Sequence, residues 1–327
     1  MKILHVTHHQ GCKISIDFVC KKLGHELETQ FADWNYNVSK ELANEIWRKY
    51  KDYYETFDCI IVSDTAPLAR IFLQNNFEKK LIVWVCNRFD YTDQSSNNCN
   101  FPDPEFYELY RKSIKKPNVI FRSYTKFEHE YAEKYHNVIW EKEVLRPCNE
   151  IDNIKNDGYF PDGQKKEDTF FVTRYHNDNI FMDLRSKCLS LEIPNYRGEY
   201  NGPSDLKGIK GIIHIPYAWS NLAIFENWSM GNVYLIPSKE FLLELSHQSN
   251  FFWSPPFDRG FIESSEWYLP EHSSLFAYFN SWEHLRQISQ NSEYLNEIKK
   301  RVKGFSDLHT AKSLDQWKHI IEQNGYF

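Results

Sequence analysis

The sequence lacks long hydrophobic runs and paired cysteine motifs. No stretch of about 18 consecutive apolar residues occurs among the 327 residues, so no membrane-spanning helix is predicted. The N-terminal stretch MKILHVTHHQGC has an apolar run too short for a signal peptide, and no small-residue cleavage site follows it. The seven cysteines form no C-x-x-C pair, which favours reduced thiols over disulfides or a zinc site. These absences predict a cytoplasmic protein.

Excess positive charge and metal-binding motifs are also missing. Lys and Arg total 39 against 45 Asp and Glu, and the formal net charge is -6. That balance argues against a nucleic-acid partner, whose phosphates require a basic surface. No D-x-D triplet occurs, and His5, His8 and His9 are a poor ligand set because His5 lies inside the predicted first strand. We therefore expect neither a bound metal ion nor a nucleic-acid partner.

The sequence does contain apolar runs that alternate with segments of helical spacing. In the first half the runs are KILHVT, FDCIIVSD, KLIVWVCN and NVIFRS, and the helical segment ISIDFVCKKLG ends at Gly24. In the second half TFFVTR, GIIHIPY and VYLIPS alternate with further helices. Apolar strands interleaved with helices are typical of a parallel sheet with helices on both faces. The predicted fold class is therefore α/β, with two Rossmann-like parallel-sheet domains.

A polar segment without periodicity, residues 149–168, divides this pattern and is the best candidate for a linker. It separates an N-terminal domain, residues 1–150, from a C-terminal domain, residues 165–309. In open parallel sheets, ligands bind outside the carboxyl ends of the strands. A cleft between two facing domains of this kind is therefore the predicted ligand site.

The stretch AIFENWSMGNVYLIPS is typical of a helix that ends at a glycine and is followed by a buried strand. Ser220 is the predicted N-cap, and the free amides of that helix end would suit a phosphate. Gly231 is the predicted C′ residue, because glycine adopts the left-handed conformation freely. Glu226 shares a helical stripe with Leu222 and Met230. Its carboxylate therefore either reaches the edge of the buried face or meets a ligand hydroxyl.

This order of strand, polar turn, helix with a glutamate, glycine and strand resembles the donor-binding element of the GT-B glycosyltransferases. The resemblance implies that Glu226 binds the ribose hydroxyls of a nucleotide sugar. It also implies that a turn containing Tyr217, Ser220 and Asn221 faces the diphosphate or the sugar. FFVTR resembles the strand that carries a phosphate-binding arginine, here Arg174. The co-substrate would be UDP- or GDP-linked, with no other cofactor.

The N-terminal half carries a second part of the resemblance. KILHVTHHQG followed by LGHELE resembles the opening of many GT-B enzymes, in which a histidine often lies in the loop after the first strand. We therefore predict His8 and His9 as catalytic bases, beside Gly11 in the acceptor site. Three polar side chains at strand ends are further acceptor-binding candidates: Asp64, Asn87 and Arg88. In such enzymes the C-terminal helix, here residues 310–327 after a kink-prone GFSDLHT, packs back on the first domain.

The sequence departs from the GT-B pattern at two positions. Ala218 occupies the position at which retaining members carry a second glutamate, and the lysine that commonly follows the arginine is missing. Two alternatives therefore stay open, a nucleotide-sugar 2-epimerase of the same fold and a non-catalytic protein that binds a nucleotide or glycan. A nicotinamide dehydrogenase is disfavoured, because HHQGCKIS has one glycine where that class needs G-x-G-x-x-G.

Overall fold

The computed structural model describes residues 1–34, 36–92, 102–148, 165–173, 183–196, 198, 203–248 and 262–322. The chain divides into two compact units. Unit 1 comprises Met1–Asn149 with Ala311–Phe327, and unit 2 comprises Glu150–Thr310. Within the described ranges, no helix has the length and apolar character needed to cross a bilayer.

Unit 1 is built on a five-stranded, fully parallel sheet in the order β2-β1-β3-β4-β5. Its strands are β1 (Lys2–Thr7), β2 (Glu26–Phe31), β3 (Cys59–Asp64), β4 (Lys80–Val85) and β5 (Val119–Ser123). Its helices are α1 (Gln10–Leu23), α2 (Lys40–Tyr54), α3 (Arg70–Gln74, after a 3-10 turn at Ala66–Ala69), α4 (Pro104–Ser113) and α5 (Lys126–His136). Strand β3 is buried along its whole length, as its continuous apolar sequence predicts for a central parallel strand.

The helices of unit 1 begin and end at residues that suit those positions. Ser39 caps α2 by accepting a hydrogen bond from the Leu42 amide, and Thr125 forms a capping box with Glu128 at the start of α5. Gly24 ends α1 with a φ of 74°, which confirms the prediction for this glycine. These caps fix where each helix leaves the sheet edge.

Unit 2 contains a second five-stranded parallel sheet, in the order β10-β9-β8-β6-β7. Its strands are β6 (Phe170–Val172), β7 (Asn195–Tyr196), β8 (Gly211–Ile213), β9 (Tyr234–Pro237) and β10 (Phe276–Phe279). Its helices are α6 (Leu184–Ser190), α7 (Ala223–Ser229), α8 (Lys239–Gln248) and α9 (Trp282–Gln290). The last helix, α10 (Ser292–Glu322), begins in unit 2, and its residues from Ala311 onward belong to unit 1. The predicted fold class, α/β with two parallel sheets, is confirmed.

The last helix differs from the prediction of two segments separated by a kink. Helix α10 runs without interruption for 31 residues, and Gly304 lies inside it. An internal glycine costs a helix about 1 kcal/mol, and packed side chains on either side can offset this. Phe305 contacts Trp228 in unit 2, whereas Trp317 contacts Trp84 in unit 1 with ring centroids 5.3 Å apart.

The centre of the unit 2 sheet requires a glycine. A Cβ on Gly211 would lie 2.9 Å from Leu235 Cδ1, 3.1 Å from the Phe170 ring and 3.2 Å from the Val233 carbonyl oxygen. We expect Gly211→Ala to lower the free energy of unfolding by about 1–3 kcal/mol, because strand and core must shift. Gly304→Ala is the matched control. A Cβ there meets nothing within 4 Å, so this substitution should stabilise the helix. Urea unfolding measures both, and equal effects would contradict the prediction.

Candidate functional site

The carboxyl edge of the unit 1 sheet brings together most of the residues predicted for the acceptor site. Strands β1 and β3 are parallel neighbours, and β4 pairs with β3. His8 and His9 follow the end of β1 directly, and Asp64 is the last residue of β3. Asn87 lies two residues after the end of β4. Because neighbouring parallel strands end at the same edge of a sheet, these four residues lie along the carboxyl edge of the unit 1 sheet.

His9 closes the connection between β1 and α1. Its Nδ1 accepts a hydrogen bond from the Gly11 amide at 3.0 Å, and its own amide donates to Thr7 Oγ1 at 3.1 Å. The His9 side chain is the N-cap of α1 and is exposed. Gly11 therefore belongs to the first helical turn, and the loop after the first strand consists of two residues.

His8 is half-buried and stacks on Tyr36, with ring centroids 4.0 Å apart and planes 19° from parallel. Burial lowers the pKa of His8, an effect partly offset by a hydrogen bond with the backbone of Ala32. The imidazole is therefore neutral at neutral pH. Its Nε2 is buried and, among the described residues, has no hydrogen-bond partner. A neutral imidazole whose nitrogen has no partner can donate a hydrogen bond to a ligand or accept one from it.

Asp64 combines backbone strain with an unused carboxylate oxygen. Its φ is 75°, a left-handed conformation that residues other than glycine rarely adopt. The residue is only 5% exposed, and no partner in the described part of the chain reaches its Oδ2. Burial, followed by the nearby Cys12 sulfur, raises the pKa of Asp64 to about 8, while His9 acts in the opposite direction. Asp64 therefore carries a proton at neutral pH.

Tyr36 lies beside His8 and was not predicted as a site residue from the sequence. Its ring stacks on His8 and makes an edge contact with Tyr91, with centroids 6.0 Å apart. Burial raises the pKa of the Tyr36 hydroxyl, and so do Asp64 and Cys12 once they are ionised. The sequence signal that could have identified Tyr36 was an aromatic residue a few positions beyond the end of β2. That signal was not distinctive, because the chain contains many aromatic residues.

Arg88 is buried, whereas a residue that binds an acceptor must present its side chain to a ligand. The residue is 2% exposed, and its Nε donates to Asp90 Oδ1 at 2.5 Å. Asp90 Oδ2 in turn accepts from the hydroxyls of Tyr107 at 3.1 Å and Tyr131 at 3.3 Å, and lies 3.0 Å from His136 Nε2. The guanidinium is thus held inside a buried polar network.

Asn87 and Asp90 flank that arginine. Asn87 is half-buried, and its Oδ1 accepts from the Arg88 amide at 2.9 Å. Burial acts to raise the pKa of Asp90, but the hydrogen bond with His136 and the Arg88 charge outweigh it and the pKa lies below its usual value. Asp90 is therefore ionised at neutral pH and balances the arginine.

In unit 2 the turn between β8 and α7 is held by a separate segment. The Trp267 indole donates to the Ala218 carbonyl oxygen at 2.9 Å, and the Glu266 amide donates to the Trp219 carbonyl oxygen at 3.0 Å. The His214 ring, just after β8, stacks on Trp267 with centroids 4.7 Å apart. These contacts fix the backbone of the predicted donor-binding turn.

Helix α7 begins later than predicted. Leu222 is its N-cap position, and Asn221 Oδ1 accepts from the Ala223 amide at 2.9 Å. The prediction of Ser220 as the N-cap is therefore wrong, because the asparagine next to it satisfies the first amide. The Ser220 hydroxyl is buried without a hydrogen-bond partner among the described residues. At the other end Gly231 has a φ of 75°, which confirms its predicted role.

Glu226 lies on the half-buried side of α7, with Leu222 and Met230. The fully buried side carries Ile224, Phe225, Asn227 and Trp228. The carboxylate is thus at the boundary of the packed face. Tyr217 is half-buried, with its ring 5.7 Å from His214. Arg174 lies outside the described residues, so its predicted role stays a prediction. Within the described ranges, no three His, Cys, Asp or Glu side chains form a group that could hold a metal ion.

No protein-family model and no curated protein sequence matches the chain. Solved structures are similar to it along nearly their whole length. The calicheamicin glycosyltransferase CalG4 is 10% identical, with 99% of each chain covered and a TM-score of 0.49. UGT89C1 of Arabidopsis thaliana, complexed with UDP-L-rhamnose, is 8% identical, with 97% of each chain covered and a TM-score of 0.49. A UDP-GlcNAc 2-epimerase from Neisseria meningitidis, bound to UDP-GlcNAc, is 11% identical. That match covers 97% of this chain and 100% of the epimerase chain, with a TM-score of 0.41.

Proposed function

We propose that this chain is a metal-independent glycosyltransferase that moves a sugar from a UDP- or GDP-linked donor to an acceptor hydroxyl. One observation carries the proposal. Two buried polar atoms without partners in the described part of the chain, His8 Nε2 and Asp64 Oδ2, belong to the ends of neighbouring parallel strands. An unsatisfied buried polar atom costs about 1–3 kcal/mol, and a bound hydroxyl would remove that cost.

The two groups suit different tasks in the transfer. His8 is neutral at neutral pH and can take the proton of the attacking hydroxyl, a contribution typically worth about 10²- to 10⁴-fold in rate. Asp64 is protonated at the same pH and can donate a hydrogen bond that orients the acceptor. Tyr36 would help to position the side chains of His8 and Asp64, because it stacks on His8 and lies close to Asp64.

The donor would be bound by unit 2. Glu226 would bind the ribose hydroxyls, and the Ser220 hydroxyl and Arg174 would bind the diphosphate, with Tyr217 and Asn221 in the same turn. Helix α7 has only seven residues, so we assign the leaving diphosphate to side chains rather than to the helix end. Arginine suits this role, since its guanidinium binds phosphate through two parallel hydrogen bonds.

A thermal-shift panel of nucleotides and nucleotide sugars tests the class of ligand. A ligand at about 100 times its dissociation constant adds roughly 2.7 kcal/mol of stability, a readily measured shift. We expect a shift with UDP or GDP sugars and none with NAD. A protein stabilised by NAD, or by no nucleotide sugar at millimolar concentration, would overturn the proposal.

Glu226→Gln should weaken donor binding about 10- to 100-fold without unfolding the protein, because a hydrogen bond to a charged group is worth roughly 1.5–3 kcal/mol. Calorimetric titration with the nucleotide that responds in the panel measures this change. Glu244→Gln is the matched control, since Glu244 lies exposed on α8 of the same unit. Unchanged affinity in Glu226→Gln would remove this residue from the donor site.

A nucleotide-sugar 2-epimerase is the second candidate. One observation favours it, namely a proton-bearing carboxyl, Asp64, at the same sheet edge as a neutral histidine, His8. Such a pair can act as acid and base. Product analysis separates the two functions. An epimerase returns an isomer of the donor when no acceptor is present, whereas a transferase releases the nucleotide. Binding without either product would indicate a non-catalytic binding protein.

A further inference from the structure

Three polar side chains lie inside the unit 1 sheet, and neither the proposed transfer nor its alternatives use them. They are His5 and Thr7 on β1 and Ser63 on β3, and all three are fully buried. The Ser63 hydroxyl donates to Thr7 Oγ1 at 3.0 Å, and His5 Nε2 lies 2.7 Å from Ser63 Oγ. The three side chains therefore form a continuous hydrogen-bonded network that crosses from β1 to β3 and back.

The chemistry of the groups fixes the direction of these hydrogen bonds. The Ser63 hydroxyl has one proton, which goes to Thr7, so His5 has to donate from Nε2. Burial lowers the pKa of His5 to about 3, so the ring is neutral and has one proton to give. Thr7 Oγ1 also accepts from the His9 amide at 3.1 Å. The network thus extends from the middle of β1 to the loop that follows it.

The two hydroxyl-bearing residues stand directly before the two candidate site residues. Thr7 precedes His8, and Ser63 precedes Asp64. The backbone register of β1 and β3 runs up to the residues just before Thr7 and Ser63. The Thr7–Ser63 hydrogen bond continues this pairing by one step. It therefore joins the two strands at the point where His8 and Asp64 leave the sheet.

A polar network is uncommon at such a place. The interior of a parallel sheet is typically apolar, and burying a polar group costs free energy that a hydrogen bond has to offset. What a hydrogen bond adds is geometry, because it restricts both the distance and the direction between donor and acceptor. Asp64 needs such a restriction, since its φ of 75° persists only where the surrounding structure determines it.

We propose that Thr7 and Ser63 are positioning residues, whose hydrogen bond sets the placement of His8 relative to Asp64. The inference rests on the proposed function, in which those two groups act on one acceptor hydroxyl. Thr7 and Ser63 are fully buried, so they act through alignment and not through contact with a substrate. A misplacement of about 1 Å in an active site can lower a rate by about 10²-fold.

Thr7→Val tests the proposal directly, because valine has nearly the shape of threonine and lacks the hydroxyl. We expect turnover, measured as nucleotide release with a saturating acceptor, to fall about 10- to 100-fold. The affinity for the donor, measured by calorimetric titration, should stay unchanged. Thr7→Ser keeps the hydroxyl and should retain most of the turnover. If Thr7→Val and Thr7→Ser have equal turnover, the hydroxyl is not the cause and the proposal is overturned.

Ser63→Ala should act like Thr7→Val, since it removes the other partner of the same hydrogen bond. Ser113→Ala is the matched control, because Ser113 is a fully buried serine at the last residue of α4, outside the network. This substitution should leave turnover unchanged. An equal loss of turnover in Ser63→Ala and Ser113→Ala would show a general effect of buried serines and would refute the positioning role.

A double variant shows whether Thr7 acts through His8. In His8→Gln the base is already missing, so adding Thr7→Val should lower the remaining turnover only slightly. Residues that act as a unit give such non-additive effects, whereas independent residues give effects that multiply in rate. Multiplied effects in the double variant would mean that Thr7 acts independently of His8, contrary to the proposal.

A measurement without turnover separates this inference from the proposed function. The imidazole resonances of His8, assigned by their absence in His8→Gln, are followed against pH by NMR. Burial lowers the pKa of His8, and a ring that loses its position gains contact with water. The pKa of His8 should therefore rise towards about 6.5 in Thr7→Val and stay at the wild-type value in Thr7→Ser. Circular dichroism verifies that both variants are folded.

The two possible failures then have different signatures. An unchanged pKa of His8 in folded Thr7→Val overturns the positioning role, whether or not transfer is observed. A raised pKa in a protein that releases no nucleotide from any donor supports the positioning role and refutes the proposed function alone.

Discussion

His8→Gln is expected to lower the turnover of glycosyl transfer by about 10²- to 10⁴-fold and to leave the affinity for the donor unchanged. Glutamine is similar in size and polarity but cannot take up a proton at neutral pH. The imidazole of His8 is the neutral, half-buried group with an unused nitrogen at the edge of the unit 1 sheet. Steady-state kinetics with a responding donor and a saturating acceptor measures the change.

The matched control is the adjacent residue. His9 was predicted as a second base, but it is exposed and its Nδ1 accepts from the Gly11 amide. His9→Gln should therefore cost about 1 kcal/mol of stability through the lost N-cap and change turnover only a few-fold. Full activity in His8→Gln together with a severe loss in His9→Gln would exchange the two roles.

The dependence of turnover on pH gives an independent check on the same pair. The pKa of His8 is lowered, so turnover should fall on the acid side only below the usual histidine value of about 6.5. The pKa of Asp64 is about 8, so turnover should also fall as the pH rises past that value and the carboxyl loses its proton. Asp64→Asn keeps a hydrogen-bond donor and tolerates a positive φ, and it should abolish only the alkaline limb. An unchanged alkaline limb in this variant would contradict the assignment of Asp64.

Asp90→Ala is expected to lower the free energy of unfolding by about 3–5 kcal/mol, the cost of leaving a buried charge unpaired. Arg88 is 2% exposed and would keep its charge, while the hydroxyls of Tyr107 and Tyr131 would lose the oxygen that accepts from them. Urea unfolding at neutral pH measures the loss. A change below about 1 kcal/mol would show that the network is hydrated rather than buried.

A double variant and a pH series sharpen this second prediction. Arg88→Met with Asp90→Leu removes both charges and should recover most of the stability lost in Asp90→Ala. The pKa of Asp90 is lowered in the folded protein. Its contribution is therefore complete above the unfolded value of about 3.9 and is lost as the pH falls below it. The parent protein should lose stability in that acid range, and the double variant should lose less.

The strand pattern of the sequence was sufficient for the fold because the central strands are continuously apolar. Strand β3 is an example, with every residue buried. Strand β10 was not predicted, since it has only four residues and aromatic residues are frequent in the sequence on both sides of it. The break predicted near Gly304 was also wrong. Packing of Phe305 and Trp317 holds α10 together where local propensity favours an end.

The candidate site could be predicted only in part, for a related reason. The carboxyl ends of β1 and β3 pointed to His8 and Asp64, because strand ends meet at one edge of a parallel sheet. The left-handed backbone of Asp64 and the stacking of Tyr36 on His8 depend on tertiary contacts that no spacing rule contains. The burial of Arg88 could not be predicted, because a strand-end position does not reveal the buried Asp90 that binds its guanidinium.

The most direct test of the central claim is the release of nucleotide from a mixture of UDP and GDP sugars, measured with and without hydroxyl acceptors. We expect the wild-type protein to release UDP or GDP. An acceptor should speed this release and gain the sugar, and His8→Gln should nearly abolish the release. Nucleotide release that is absent with every donor, or that is the same in wild type and His8→Gln, would contradict the claim that this sheet edge activates an acceptor hydroxyl.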